Sequence, residues 1–386
     1  MATESRFLQK TSESYFLFGP RGTGKTTWLK QEYPDALYLD LLAPEIYRSF
    51  LSHPERLREV VQGEKSPVVI IDEIQKVPAL LDVIHQLVEE DKTTQYILTG
   101  SSARKLKRSG VDLLSGRLLW RSMYPFMAAE LGGSFDLDAA LSTGLIPLVQ
   151  DSSDPLSRLH AYIDLYVREE VQYEGLVRKL DDFLRFLEAV SFSHASLLNV
   201  TEVAREAQAQ RKTVAGYIQI LEDILIAYQI TPFRKKAKRN VVSHSKFYFF
   251  DAGVFRILRP QGPLDRPEEI AGLALEGLVA QHLRSWIGYG QQDTKLHFWR
   301  STRGVEVDFV LYGQDTFAAF EVKSSTKVRE SDLQGLRAFR EDYPQAQLVL
   351  LYRGSQRLLI DGIRCIPCAG FLKNLRPGQP LDGQDT

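Results

Sequence analysis

The sequence has few cysteines, no long apolar run and almost no net charge. Its 386 residues contain two cysteines, too few for a disulfide framework, which fits a reducing cytoplasm. Apolar runs stay below the roughly eighteen residues of a membrane-spanning helix, and the N-terminus lacks the apolar core of a signal peptide. The formal net charge of −1 gives no overall attraction to nucleic acid or membrane, so such binding needs a local patch. We therefore expect a cytoplasmic protein of about two to three domains without a membrane partner.

The most informative motif spans residues 19–26, between a predicted strand at residues 15–18 and a predicted helix at residues 26–32. The loop and the residue after it are Gly19, Pro20, Arg21, Gly22, Thr23, Gly24, Lys25, Thr26 and Thr27. Glycines allow backbone N–H groups to point inward, and the following helix N-terminus attracts phosphates. In this pattern Lys25 contacts the β- and γ-phosphates and the Thr26 hydroxyl binds Mg²⁺. The motif predicts binding of a nucleoside triphosphate, with ATP and Mg²⁺ as cofactors.

Two acidic residues end the next apolar segment. Residues 67–71 are apolar and precede Asp72 and Glu73, which is typical of a buried parallel strand that carries carboxylates at its C-terminal edge. We expect Asp72 to hold Mg²⁺ through its water shell and Glu73 to act as general base on the attacking water. The alternative is a strand that merely reaches solvent at two acids.

Polar residues at the ends of two further predicted strands are candidates for contacts with the γ-phosphate. Ser101 is the first choice to orient the attacking water and Thr99 the second, both because of their position. Arg117, just before a predicted strand at residues 118–124, is the candidate arginine finger toward a neighbouring subunit. Arg121 competes for that role, and an ordinary surface salt bridge is an equal alternative for either arginine.

These segments together resemble a known family. The stretches GPRGTGKTT, VVIIDEIQ, LTGSS and SGRLLWRSMYPF are similar to those of bacterial and archaeal AAA-type ATPases. Members of that group carry a winged-helix segment and a C-terminal domain resembling PD-(D/E)XK nucleases. The resemblance implies a parallel sheet with strand order 5-1-4-3-2 and Glu73 as catalytic base. Gly22 adds a third glycine, which should loosen the loop without removing a phosphate contact.

The pattern along the chain predicts four segments: an ATPase domain at 1–134, a helical connector at 135–190, a winged-helix segment at 191–250 and a nuclease-like domain at 251–386. In the third, residues 200–207 and 211–226 form two predicted helices around a tight turn. Five of the six residues from 234 to 239 are basic, at the expected wing tip between two strands. Such a patch suits DNA phosphates, although a solvated loop or a winged helix that only packs against the ATPase fits equally well.

The C-terminal segment contains a predicted hairpin with paired acids. A symmetric turn through residues 313–316 sets Asp308 opposite Glu321 and Glu306 opposite Lys323, while residues 305, 307, 309 and 311 share an apolar face. Opposed carboxylates repel, and a shared proton or a bound cation relieves the repulsion. We expect Mg²⁺ or Mn²⁺ between Asp308 and Glu321.

Further residues complete that constellation. Lys323 is expected to activate water or stabilise phosphate charge, matching the D…E-x-K core of the nucleases named above. Glu276 lies on the apolar face of a predicted helix, so it should be partnered or functional, and by position it matches the family's helical glutamate. Gln334 is a weaker candidate. The alternative is two solvent-facing strands with scattered charges and a bulged register.

The sequence therefore predicts an α/β protein: a P-loop AAA-type ATPase followed by a helical and winged-helix segment and a mixed α/β nuclease-like domain. The predicted function is ATP hydrolysis coupled to action on DNA, with deoxyribonuclease activity left open. The alternative is an ATP-switched signalling or scaffold protein whose C-terminal domain is an inactive binding module. A homo-oligomer or a protein partner is compatible with either reading.

Overall fold

The computed structural model describes residues 5–102, 114, 116–164, 180–235 and 241–381. The chain divides into two compact units. The N-terminal unit consists mainly of Leu8–Tyr124, and the C-terminal unit of Pro125–Glu222 and Ile226–Thr386 with Met1–Phe7.

The N-terminal unit alternates strands and helices, as a parallel α/β sheet requires. Its strands are β1 (Tyr15–Phe18), β2 (Leu37–Asp40), β3 (Val68–Asp72), β4 (Gln95–Gly100) and β5 (Leu119–Ser122). Its helices are α1 (Lys25–Glu32), α2 (Pro44–Ser52), α3 (Arg56–Glu64) and α4 (Leu80–Glu90).

The five strands form one sheet in the order β2-β3-β4-β1-β5, with every neighbouring pair parallel. This order confirms the predicted 5-1-4-3-2 arrangement. All four residues of β1 are buried, because both faces of a parallel sheet are covered by helices. The carboxyl ends of β1, β3 and β4 therefore meet at one edge, which is where open α/β sheets bind ligands.

The C-terminal unit contains the remaining elements. Its helices are α5 (Ala128–Leu131), α6 (Leu137–Thr143), α7 (Pro147–Gln150), α8 (Pro155–Tyr162), α9 (Leu180–Ser191), α10 (Val200–Glu206), α11 (Arg211–Asp223), α12 (Ala252–Leu258), α13 (Pro267–Gly290), α14 (Gln334–Asp342) and α15 (Cys368–Asn374). Its strands are β6 (Ser196–Leu197), β7 (Ala227–Pro232), β8 (Lys246–Phe249), β9 (Thr294–Arg300), β10 (Glu306–Gly313), β11 (Phe317–Lys323), β12 (Gln347–Tyr352), β13 (Leu358–Ile360) and β14 (Ile363–Pro367).

These strands form a mixed sheet in the order β13-β14-β12-β11-β10-β9-β7-β8-β6. The hairpin β7–β8, predicted as a wing, joins this sheet because β7 pairs in parallel with β9 at Thr231 and Pro232. The α/β fold class, with one parallel and one mixed sheet, is thus confirmed. The winged-helix and nuclease-like assignments and the four segment boundaries remain predictions.

The hairpin β10–β11 has the predicted register near its turn, with Phe309 opposite Phe320. The predicted apolar face is wrong in one respect, because β10 has a bulge opposite β9 between Val307 and Val310. A bulge inserts one extra residue and reverses the alternation beyond it. Val307 and Val310 consequently pack in the same core cluster, and Asp308 lies within the irregular stretch.

Among the helices of the described residues, none is both long enough and apolar enough to cross a membrane.

Candidate active site

The loop between β1 and α1 depends on glycine at two positions. Gly22 has φ +79° and Gly24, the residue that precedes α1, has φ +88°. Residues with a side chain are strained at these angles, whereas glycine adopts them freely. Gly22 was expected to loosen the loop. Its positive φ angle shows that the turn at this position favours glycine.

Lys25 points into this loop. Its side chain is buried, and Nζ donates to the carbonyl oxygens of Gly19 at 2.7 Å and Pro20 at 3.2 Å. The Thr23 hydroxyl donates to the same Pro20 oxygen at 2.8 Å. The Lys25 ammonium is therefore held by carbonyl oxygens of its own loop.

Asp72, the last residue of β3, is the acceptor for three hydroxyl groups. Thr26 Oγ1 donates to its Oδ2 at 2.7 Å, Tyr38 donates to Oδ2 and Thr99 donates to Oδ1. The carboxylate is buried and is oriented by neutral donors on α1, β2 and β4. Thr26 and Asp72, both predicted to hold Mg²⁺, thus lie together.

Glu73 follows β3 directly and has a left-handed backbone, with φ +58°. Such a conformation costs a residue with a side chain about 1 kcal/mol or more and often occurs at functional sites. Its Oε2 accepts hydrogen bonds from Ser101 Oγ at 3.2 Å and from Gln75 Nε2. Gln75 in turn lies 3.3 Å from Ser101 Oγ, so these three side chains form one hydrogen-bonded group.

The two hydroxyl residues predicted near the γ-phosphate contact different acids. Ser101, the first choice, is buried and contacts Glu73. Thr99, the second choice, contacts Asp72, and its hydroxyl also accepts from the Glu73 N–H at 3.4 Å. Their predicted roles remain predictions, but both lie beside the predicted catalytic acids.

The two arginines differ in accessibility. Arg117 is partly exposed and forms an ion pair with Glu89 on α4. Arg121 is buried, donates to the Gln9 carbonyl at 2.5 Å and lies 5.6 Å from the Tyr15 ring centroid. The ion pair of Arg117 matches the surface salt bridge considered as an alternative, and its role as an arginine finger remains a prediction.

A second acidic cluster lies in the C-terminal unit around Lys246, the first residue of β8. Lys246 Nζ is 2.9 Å from Glu276 Oε1 and 3.4 Å from Asp308 Oδ1, and it also contacts Glu306. Only 2% of the Lys246 side chain is exposed. Sequence reasoning predicted an acidic cluster but missed this cation.

These acids accept further hydrogen bonds and ion pairs. Glu276 Oε1 accepts from Tyr248 at 2.7 Å, and Asp308 Oδ2 accepts from the Val322 N–H at 2.8 Å. Glu306 pairs with Arg300 at 3.0 Å. The side chain of Glu306 thus contacts Lys246 and Arg300, whereas the predicted position of Glu306 opposite Lys323 remains a prediction.

Glu321 and Lys323 pair with each other on β11. Lys323 Nζ lies 2.5 Å from Glu321 Oε1, whereas Glu321 Oε2 is buried without a hydrogen-bond partner among the described residues. Gln334 is the first residue of α14, and the next residue, Gly335, approaches β10 closely. A Cβ atom on Gly335 would lie 2.0 Å from the Glu306 carbonyl oxygen.

Burial and mutual repulsion shift the ionisation of this cluster. The pKa of Glu276 rises to about 7, first through burial and then through repulsion by Asp308, against the attraction of Lys246. The same two causes raise the pKa of Glu321 well above its usual value. Burial lowers the pKa of Lys246, but the nearby carboxylates outweigh burial and raise it. Lys246 is therefore positively charged at neutral pH.

No group of three or more His, Cys, Asp and Glu side chains in the described parts of the chain is arranged to hold a metal ion. Where sequence reasoning expected a divalent metal between Asp308 and Glu321, the Lys246 ammonium lies against Asp308.

The sequence that surrounds the N-terminal site is similar to a known domain. Residues 11–132 match an AAA domain. This match supports an AAA-type P-loop ATPase in this part of the chain. Residues 134–265 and 271–371 match two domains of unknown function, DUF8612 and DUF4143.

Similar whole chains carry no stated activity. Uncharacterized proteins of Mycobacterium tuberculosis and Mycobacterium bovis are each 23% identical over 366 residues, covering 92% of this chain and 80% of the relative. One of Haemophilus influenzae is 22% identical over 391 residues, covering 92% of both. The solved structure of C. elegans PCH-2 shares 15% identity over 54% of this chain and 61% of that chain, less than two thirds of its length, at a TM-score of 0.23. A score this low carries no argument.

Five side chains that contact the acids of the two clusters were missed from the sequence: Tyr38, Gln75, Lys246, Tyr248 and Arg300. Gln75 follows Glu73 by two positions in the motif, which was a usable signal. Tyr38 and Lys246 are distant in sequence from the acids they contact, and only the strand order brings them there.

Proposed function

We propose that this chain is a cytoplasmic, Mg²⁺-dependent ATPase that hydrolyses ATP to ADP and phosphate. The observation that carries the proposal is the contact between Thr26 and Asp72 at 2.7 Å, beside a loop that holds Lys25. The AAA-domain match over residues 11–132 supports it independently.

The donor set at this site fits Mg²⁺. Thr26 supplies a hydroxyl oxygen and Asp72 a carboxylate, both hard oxygen ligands of the kind Mg²⁺ takes together with water and phosphate. Bound there with ATP, the ion would neutralise charge on the phosphates.

The protein's own residues perform the remaining work. The phosphates replace the Gly19 and Pro20 carbonyl oxygens as partners of the Lys25 ammonium, which then stabilises the developing charge. Glu73 accepts a proton from the attacking water, and Ser101, hydrogen-bonded to Glu73, orients this base. Arg117 of one subunit reaches the γ-phosphate of its neighbour if the chain forms an oligomer.

Loss of the loop lysine tests the proposal. We expect Lys25→Ala to reduce phosphate release from ATP by at least about 100-fold, equivalent to about 2.7 kcal/mol of transition-state stabilisation. Lys92→Ala, at an exposed position of the same unit, is the matched control and should keep full turnover. Equal turnover in wild type and Lys25→Ala would refute the proposal.

We further propose that the ATPase acts on DNA through the C-terminal unit. Arg211, Lys212 and Thr213 open α11 and are exposed, which suits contacts with phosphates. Of the basic stretch 234–239, Arg234 donates to the Val242 carbonyl and Lys235 lies over the Tyr312 ring; the stretch from residue 236 on lies outside the described residues.

Fluorescence anisotropy with duplex DNA over a range of salt concentrations tests this coupling. Replacing Arg211 and Lys212 by Gln should weaken binding and reduce its salt dependence, because each lost phosphate contact removes released counterions. Salt-independent or absent DNA binding would contradict it.

A second candidate is an ATP-switched signalling or scaffold protein whose C-terminal domain is an inactive binding module. The buried Lys246 within the acidic cluster favours this candidate over metal-dependent DNA cleavage. Slow turnover with tightly retained nucleotide, and no DNA binding at moderate salt, would distinguish it from the DNA-coupled ATPase.

A further inference from the structure

The acidic cluster of the C-terminal unit already contains a cation of its own. Lys246 is contributed by β8, whereas Glu276 lies on α13 and Asp308 on β10. The ammonium contacts all of Glu276, Asp308 and Glu306. One buried positive charge thus joins two strands and a helix.

The ammonium and a divalent metal would need the same oxygen atoms. Mg²⁺ and Mn²⁺ coordinate oxygen ligands at about 2.0–2.2 Å, so a metal bound to an oxygen atom competes with an ammonium group that already donates to that atom. Lys246 takes Oε1 of Glu276 and Oδ1 of Asp308. The Val322 N–H donates to the other oxygen of Asp308, and the Tyr248 hydroxyl donates to the same Oε1 of Glu276 that Lys246 contacts.

Glu321 does not supply the missing site. One of its oxygens pairs with Lys323, and the other has no hydrogen-bond partner among the described residues. A single carboxylate oxygen cannot hold a divalent ion without further ligands.

The charge balance explains why the lysine is retained. Three carboxylates close together in a buried region repel, and removing them from water carries a cost that a paired cation offsets. Either a bound metal ion or a buried lysine can neutralise the charge of these carboxylates.

We infer that Lys246 stands in place of a divalent metal in this cluster, so that the C-terminal domain binds no Mg²⁺ or Mn²⁺ through Glu276 and Asp308. Metal-dependent phosphodiester cleavage then has no centre in this domain, whereas its fold and surface remain available for binding. The inference is independent of ATP hydrolysis, which takes place in the other unit.

The test measures Mn²⁺ binding to the full chain without nucleotide, by electron paramagnetic resonance of free Mn²⁺. All proteins carry Asp72→Asn, which removes the N-terminal metal ligand. Lys246→Met removes the charge at similar side-chain length, and Lys246→Arg is the matched control that keeps it. We expect no site with a Kd below about 1 mM in the parent protein or in Lys246→Arg.

Lys246→Met should bind one Mn²⁺ at least about tenfold more tightly than the parent, because the competing charge is gone. Adding Asp308→Asn should abolish that site, and Mn²⁺ should raise the Tm of Lys246→Met alone. Folded Lys246→Met without Mn²⁺ binding would overturn the inference.

Mn²⁺ binding to the parent protein is a second test, which does not depend on whether Lys246→Met folds. If the parent binds one Mn²⁺ with micromolar affinity and Asp308→Asn removes it, the lysine does not exclude the metal and the inference is wrong. ATP turnover of the chain with native Asp72 is measured separately, so failure here leaves the proposed ATPase intact.

Discussion

The two acidic clusters of this chain are oriented by different partners. In the N-terminal unit, hydroxyl groups of Thr26, Tyr38 and Thr99 donate to Asp72. In the C-terminal unit, the ammonium of Lys246 contacts three carboxylates. Neutral donors orient a carboxylate but leave its charge to attract a metal, whereas an internal cation removes that attraction. Clusters built from similar acidic residues therefore differ in their ability to attract a metal ion.

The largest expected effect is on the N-terminal cluster. Glu73→Gln keeps the size of the side chain but removes the base, and we expect ATP turnover to fall about 10²- to 10⁴-fold with nucleotide binding retained. Single-turnover phosphate release and nucleotide titration measure both. Glu64→Gln, at an exposed position of α3, is the control. A loss of less than threefold in Glu73→Gln would show that another group is the base.

The next largest effect is a loss of stability on changing the C-terminal cluster, which would mark that cluster as structural and not catalytic. Glu276→Ala removes a buried partner of Lys246 and Tyr248, so we expect the free energy of unfolding to fall by about 3 kcal/mol. ATP turnover below the unfolding temperature should change little. Glu206→Ala, in an exposed pair with Arg205, should change stability by about 0.5 kcal/mol or less. Equal effects in denaturant titrations of the two variants would contradict the structural role of Glu276.

A pH dependence sharpens the comparison further, because helix α13 carries a buried neutral histidine as well as Glu276. His282 Nε2 accepts from the Ala128 N–H at 2.9 Å, and burial lowers the pKa of His282 to about 4. In the unfolded chain the pKa of this histidine is about 6.5. The stability that neutral His282 contributes is therefore fully present above pH 6.5 and is lost as the pH falls toward 4. The loss is about 2 kcal/mol at pH 5.

Calorimetry with saturating ADP measures this loss, since the nucleotide stabilises only the unit that binds it. His282→Gln keeps an acceptor for Ala128 but cannot titrate. It should flatten the pH dependence of the C-terminal transition between pH 4 and 6.5. Identical slopes in both proteins would exclude His282 as the source.

The smallest expected effect concerns the orientation of the base. Gln75 donates to Glu73, and Gln75→Ala frees the carboxylate from one of its two side-chain partners. We expect kcat for ATP to change about tenfold or less, with the affinity for nucleotide unchanged. Gln86→Ala, on the same unit, is the control. A change in nucleotide affinity without a change in kcat would assign Gln75 to binding instead.

Local sequence predicted well wherever a motif contains its own partners. The loop from Gly19 to Thr26, the strand that ends at Asp72 and the register of the hairpin that carries Asp308 follow from residues close together in the chain. The predicted strand order is confirmed as well.

Contacts between distant segments could not be read from the same patterns. Lys246 is 62 positions from Asp308, and its role depends on β7 and β8 joining the C-terminal sheet. The bulge at Asp308 was also outside the predicted alternation, because one inserted residue changes which face each side chain occupies. Charge alone therefore predicted a metal where packing provides a lysine.

The parallel pairing of β7 with β9 has a practical consequence for dissecting the molecule. A fragment cut at residue 250, the boundary predicted from sequence, would begin without β8 and so without the counterion of Glu276 and Asp308. The same cut would expose the backbone of β9 as a new sheet edge, which favours aggregation. A soluble C-terminal fragment therefore has to begin before β7, so that strand pairing and charge neutralisation are kept together.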